Sequence, residues 1–278
     1  MKFKKTLKNW LKNADRKYLG GRLKGVVRDT RQPEMPVFSI TPEEKEAAQK
    51  ELMRQIERPL PADRELKRVE ILVLNYKSPE IESKCAKLLI SNTDWPYKLN
   101  LFDNRPGTKN MSKIWNKAVR ESTCDYIVIM DSDVFVPNLD PCWLTRCMET
   151  FEKYPDCYAV SPMVTRTSGP EQQADTPQNK PPFKMTEEFA GMCLLFKKEV
   201  FNKIGWFDEN YLLFGTDTEW SLRLLRSKEC AGYLRPDVVV DHIWHASVLK
   251  AVKDERTEYN FQVEKEYSNQ LLDKVRNK

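Results

Sequence analysis

The chain has 278 residues, 40% of them hydrophobic and 31% charged, a balance that argues against a disordered tail, a collagen-like repeat or a disulfide-dense miniprotein. No run reaches the ~18 consecutive apolar residues of a membrane-spanning helix, and lysines interrupt any secretory apolar segment near the N-terminus. The seven cysteines are scattered, with no Cys-x-x-Cys pair, so the sequence reads as a cytoplasmic protein with reduced cysteines used for packing.

The net charge of +5 is concentrated in an arm. Residues 1–31 hold eleven Lys and Arg against Asp15 and Asp29, a net of +9, while the other 35 basic and 39 acidic residues leave −4. Phe3, Leu7, Trp10, Leu11, Ala14 and Tyr18 recur at spacings of three and four, which on a helix gathers one apolar stripe among lysines. Such a helix suits an anionic membrane surface, a nucleic-acid backbone, or docking on the body of the protein or a partner. Thr41-Pro42-Glu43-Glu44 then starts a helix to about Glu57, and Pro59 and Pro61 stop it. The chain divides into an arm and helical linker (1–67), an α/β body (68–250) and a C-terminal helix (251–278).

Within the body, strand-like and helix-like patterns alternate, which predicts a mainly parallel sheet with helices on its faces. Val69 to Leu74 is an apolar run broken only by Glu70 and ending in Asn75-Tyr76. Residues 79–90 read as helix, Leu99 to Phe102 as a strand ending in Asp103-Asn104, and 110–121 as helix. Tyr126 to Met130 is a third strand ending in Asp131-Ser132-Asp133. Leu144, Cys147, Met148 and Phe151 mark a helix face, and Tyr158 to Val160 a fourth strand. Residues 166–184, rich in Pro, Gly, Gln and Thr, read as a long mobile loop beside the site. Ligands of such sheets bind beyond the carboxyl ends of the strands, so Asn75, Asp103, Asp131 and Asp133 assemble a polar crevice. Two carboxylates so close repel one another unless a cation or hydrogen bonds stabilise both, and hard ions such as Mg2+ and Mn2+ take oxygen ligands of this kind.

The run DYIVIMDSDVFVP (125–137) looks like the strand and Asp-x-Asp signature of nucleotide-sugar glycosyltransferases of the GT-A fold. FAGMCLLFKKEVFNKIGWFDENYLLFGTDTEWSLRLL (189–225) resembles the second half of family 2 glycosyltransferases, and RPDVVVDHIWHAS (235–247) is similar to the strand that delivers a metal-binding His in such enzymes. The resemblance covers about residues 68–247.

The resemblance implies a GT-A fold and a metal-dependent inverting transfer of a sugar from a nucleotide sugar to an acceptor hydroxyl. It implies that Asp133 binds Mn2+ or Mg2+, that Asp131 contacts the donor ribose or the same ion, and that His242, with His245 in reserve, completes the metal site. Asn75 and Asp103 would hold the nucleotide, with Asn104, Asn110 and Asn116 as further contributors. Asp217 matches the catalytic base, with Glu219 as its rival; many relatives have Glu-Asp where this chain has Thr216-Asp217. No Gln-x-x-Arg-Trp motif occurs, so a single transfer is expected instead of polymer synthesis. Trp206, Phe207, Tyr211 and Trp220 offer either a wall for a sugar ring or core. Two rival readings are a nucleotidyltransferase-type enzyme on a related sheet and a non-catalytic membrane- or nucleic-acid-binding module.

Overall fold

The computed structural model describes residues 67–75, 79–103, 110–211, 214–243 and 255–277, all within the unit Ile40–Lys278. The basic arm, the linker helix expected at 41–57, Asn104 and His245 lie outside the described residues.

In chain order the strands are β1 (Val69–Asn75), β2 (Tyr97–Asp103), β3 (Tyr126–Asp131), β4 (Val134–Phe135), β5 (Cys157–Val164), β6 (Phe183–Lys184), β7 (Cys193–Lys197) and β8 (Ala231–His242). The helices are α1 (Pro79–Asn92), α2 (Met111–Glu121), α3 (Trp143–Lys153), α4 (Val200–Ile204), α5 (Thr216–Arg226) and α6 (Glu255–Arg276). One sheet runs β2-β1-β3-β7-β5-β8-β4, with β6 pairing β8. β1 is parallel to β2 and β3, and β5 is parallel to β8. The sheet is therefore mainly parallel as expected, but β7 lies antiparallel between β3 and β5 and joins the two parallel parts.

Alternation along β1 divides the core into two layers, because successive side chains of a strand point to opposite faces. Val69, Ile71 and Val73 pack with Cys85 and Leu89 of α1 and with Leu144, Cys147 and Met148 of α3. Leu72 and Leu74 pack with Trp115 and Val119 of α2 and with Trp220 and Leu224 of α5. All seven cysteines are buried and free, and their thiols serve as packing groups.

The segment 166–184, expected as a long loop, is tied to the sheet. A 3-10 turn at Pro170–Gln172 is followed by a bridge from Gln173 to Val164, and β6 then adds to β8. The buried carboxamide of Gln172 explains the difference: its Oε1 accepts from the Ala190 N–H (2.7 Å), and its Nε2 donates to the Ala190 carbonyl (3.0 Å) and to Ser161 Oγ (2.9 Å). A glutamine that satisfies both polar groups of a buried residue spares the fold ~1–3 kcal/mol for each group otherwise left unpaired.

Candidate active site

Ladder register brings the predicted polar residues together. Asn75 pairs with Asp103 across β1 and β2, while its neighbour Leu74 pairs with Asp131 across β1 and β3. Three successive strands thus end level. The chain turns after Asp131 into the short β4, a strand the sequence did not announce, and β4 pairs antiparallel with the end of β8, setting His242 opposite Val134. The Ile243 N–H donates to the Asp133 carbonyl (3.0 Å) and locks the arrangement.

Asp131, Asp133 and His242 each offer a ligand atom, and these atoms lie within 4.8 Å of one another. Asp133 and His242 are buried. His242 Nδ1 donates to the Arg166 carbonyl (2.7 Å); because a carbonyl can only accept, this contact protonates Nδ1 and turns Nε2 toward Asp133 Oδ1 at 3.6 Å. Thr165 holds the end of β8: its Oγ1 accepts from the backbone N–H of His242 (3.1 Å) and donates to Asp241 Oδ1 (2.9 Å). Burial, then the neighbouring Asp133 carboxylate, pushes the Asp131 carboxyl well above its usual range. Burial opposes the charged form of His242, but the hydrogen bond and charge of Asp133 outweigh it and move its pKa up. Two carboxylates and an imidazole nitrogen this close together form a donor set that a divalent cation fits.

Across a recess from this cluster stands Asp217. The recess is lined by Met111, Trp115, Ile129, Asp131, Gly191, Phe207, Thr216 and Asp217. Asp217 lies in the first turn of α5, which Gly215 begins with φ +79°, a conformation that favours glycine. Its Oδ2 accepts from the Gly191 N–H (2.6 Å) and its Oδ1 from the Thr218 N–H (2.9 Å). A Cβ on Gly191 would lie 2.7 Å from Asp217 Cβ, so only glycine lets the strand and the carboxylate approach this closely. Burial raises the Asp217 pKa, and the two N–H donors only partly offset it. The result is an anchored carboxylate with raised affinity for a proton.

Several other sequence candidates have different partners. Both oxygens of Glu219 are taken by Arg223, Nε to Oε1 at 2.8 Å and Nη2 to Oε2 at 2.7 Å, and Arg223 also donates to the Ile204 and Trp206 carbonyls. Glu219 is thereby occupied in holding the turn before α5, and Asp217 alone of the two lines the recess. Asn116, expected to touch a nucleotide, spends its amide on the 207–209 segment: Nδ2 donates to the Phe207 carbonyl (2.9 Å) and to the Glu209 carboxylate Oε1 (3.0 Å), and Oδ1 accepts from the Phe207 N–H (3.1 Å). Asn110 caps α2 through Lys113 N–H and donates to the Glu209 carbonyl. With Ser112, which bonds the Tyr211 carbonyl (2.7 Å) and Thr216 (2.8 Å), these residues make α2 the scaffold for the 207–216 segment. Asn75 is buried, with Nδ2 donating to Glu82 and Oδ1 buried without a partner among the described residues. Asp103 reaches the same edge through its backbone, and its side chain is outside the described residues.

Of the four aromatics, Phe207 and Trp220 join a buried cluster with Phe201, on which Trp206 stacks, and Tyr211 is fully buried. Among these four only Phe207 reaches the recess. Trp115, Met111 and Gly191 also line it and were not singled out as site residues; the one signal in the sequence was a glycine immediately before the apolar run of β7.

Among solved structures, the chain is similar to GalNAc-T7 in its crystal structure with UDP, GalNAc and Mn2+, at 12% identity and a TM-score of 0.49, covering 74% of this chain and 53% of that one. It is also similar to the mannosyltransferase PcManGT from Pyrobaculum calidifontis in complex with GDP-Man and Mn2+, at 18% identity and a TM-score of 0.47, covering 76% and 74%. The chain spans about half the length of the first of these. No curated protein matches it. The family described as "Glycosyl transferase family 2" matches residues 50–205, more than half of the chain, including β1, the Asp-x-Asp strand and Gly191 but ending before Asp217 and His242. The chain therefore belongs to glycosyl transferase family 2.

Proposed function

We propose that the protein is an inverting, divalent-metal-dependent glycosyltransferase that moves a single sugar from a nucleoside-diphosphate sugar to an acceptor hydroxyl. The observation that carries this reading is the opposition of two acidic poles: the Asp131, Asp133 and His242 cluster, and Asp217 anchored by the Gly191 N–H across one recess. A Mn2+ or Mg2+ ion held by Asp131, Asp133 and His242 Nε2 would neutralise the charge that develops on the leaving nucleoside diphosphate. The imidazole nitrogen in the donor set favours Mn2+ over Mg2+, which keeps to oxygen.

Asp217 takes the proton of the acceptor hydroxyl as it attacks the anomeric carbon. Displacement from the face opposite the diphosphate inverts that centre. Asp217 suits this role because burial gives it the basicity a plain surface carboxylate lacks, while two N–H donors fix its direction. Trp115, Met111 and Phe207 form an apolar wall beside the reacting carbon and exclude water from it. Asn75 and Asp103, level with one another at the neighbouring strand ends, hold the nucleotide. Residues 1–31 bind an anionic membrane surface through their apolar stripe and lysines.

A panel of UDP- and GDP-sugars, assayed with Mn2+ for release of the nucleoside diphosphate, tests the core of the reading. Release from one donor class that disappears with chelator supports it; release from no donor, or release indifferent to chelator, defeats it. For the arm, substituting Phe3, Leu7 and Leu11 with Ser should abolish binding to anionic vesicles. Unchanged vesicle binding, or salt-sensitive binding to nucleic acid without vesicle binding, would reject the membrane assignment.

A further inference from the structure

Residues 188–191 form a strap in which every residue has its own anchor. The Glu188 carboxylate accepts from Arg276 Nη2 and Nε of α6, the Phe189 N–H donates to Ser221 Oγ of α5 (3.3 Å), and Ala190 is gripped by Gln172. Gly191 then donates its N–H to Asp217. Three of these anchors belong to the body of the domain; the fourth comes from the C-terminal helix. That helix is itself fastened to both ends of α5: Leu272 is buried against Gly215, where an added Cβ would meet Leu272 Cδ1 at 3.1 Å, and Arg226 in the last turn donates to the Val275 carbonyl (3.0 Å). One helix face therefore holds the two pieces that meet at the Gly191–Asp217 contact.

We propose that Arg276 is a positioning residue for catalysis: by holding Glu188, it keeps the strap at the height that aims the Asp217 carboxylate into the recess. The proposal rests on the reading of Asp217 as the base. Its physical basis is the sensitivity of proton transfer to placement, since a shift of ~1 Å in a reacting group costs up to ~10²-fold in rate. The Arg276–Glu188 pair suits fine positioning, because its side chains are 43% and 33% exposed and solvent-exposed pairs add little to global stability. Breaking the pair lets the strap move, while Asp131 and His242 are held in place by the strand pairing of β1, β3, β4 and β8.

The test uses the full-length protein with Arg276→Glu, Glu188→Arg, the double exchange, and Asp217→Asn in parallel. Two readouts are taken: amide hydrogen exchange of residues 188–191 by mass spectrometry, which needs no substrate, and Mn2+-dependent turnover of the nucleotide sugar selected from UDP-glucose, UDP-galactose, UDP-N-acetylglucosamine and GDP-mannose. Each single charge reversal should speed exchange in the strap and lower kcat about tenfold, with KM for the nucleotide sugar changed less than about twofold. The double exchange should return both readouts to near the parent values. Arg276→Glu with parent exchange and parent kcat would overturn the proposal, as would a loss that the double exchange fails to recover. If Asp217→Asn keeps parent turnover, the base assignment falls and the proposal with it. If Asp217→Asn is impaired and Arg276→Glu is not, only the role of Arg276 falls.

Discussion

The two poles of the site are built by different means. The proposed metal pole is made by backbone pairing: β1, β3, β4 and β8 fix Asp131 and His242 through ladder register, the Ile243 N–H holds the turn at Asp133, and the imidazole is clamped by the Arg166 carbonyl. The proposed base pole is made by side chains and loops, with Asp217 held by a strap that is in turn held by Gln172, Ser221 and Arg276. Register can slip only by whole residues, and a slip of one turns every side chain to the other face. A strap can drift by fractions of an ångström. The metal pole should therefore fail only when a ligand is removed, and the base pole should fail by degrees.

The largest effect is expected from emptying the metal pole. Chelator should reduce turnover to background, Mn2+ should restore it, and Asp133→Asn should need far more Mn2+ for half-maximal activity; isothermal titration with Mn2+ reads the affinity directly. Turnover that persists in excess chelator would remove the metal from the account. Asp217→Asn should come next, lowering turnover ~10²–10⁴-fold while Mn2+ affinity stays at the parent value. Parallel losses of turnover and metal affinity would show that the two poles are not independent.

Gly191→Ala probes the graded behaviour of the base pole. Its new Cβ must displace Asp217 from a 2.7 Å approach, so turnover should fall ~10–100-fold, with unchanged Mn2+ binding. Parent turnover in this variant would mean that the Gly191–Asp217 contact does not set the position of the base.

The smallest effect concerns pH. Asp131 has a folded pKa raised by burial and by Asp133, so the folded state holds a proton that the unfolded chain releases. That contribution is fully present below the ordinary carboxylate range and is lost as pH rises through the raised value. A divalent ion replaces the proton, so the melting-temperature increase produced by Mn2+ should grow between pH 5.5 and pH 8, by a few degrees at saturating ion. A shift that shrinks with rising pH would contradict the protonated state of the metal-free cluster.

Much of the metal pole was legible because its signals are local. An apolar run ending in Asp131-Ser132-Asp133 announces both strand and carboxylates within a few residues, and the unbroken burial of Ile127 to Met130 matches that run. His242 was legible only through resemblance, since nothing near it says that β8 will return beside β4. The partners of the asparagines were not legible, for a physical reason. Asn116 and Asn110 occupy a helix that opens toward the crevice, but their amides are claimed by backbone groups at Phe207 and Glu209, some ninety positions along the chain. Gln172 was hidden in the same way, in a stretch whose Pro, Gly and Thr content resembles a free loop. Glu219 and Asp217 are nearly interchangeable by composition and helix position; only the distant Gly191 N–H and the nearby Arg223 separate them.

The pairing of β4 with β8 also orders events during synthesis. Asp131 and Asp133 leave the ribosome long before His242, and at 5–20 residues per second the two carboxylates wait several seconds for their third partner. In that interval they are two mutually repelling carboxylates on an incomplete sheet, with two ligands of the eventual three. An ion held by all three would thus be a late arrival, and by joining residues so far apart in sequence it would act as a clasp on a chain already folded.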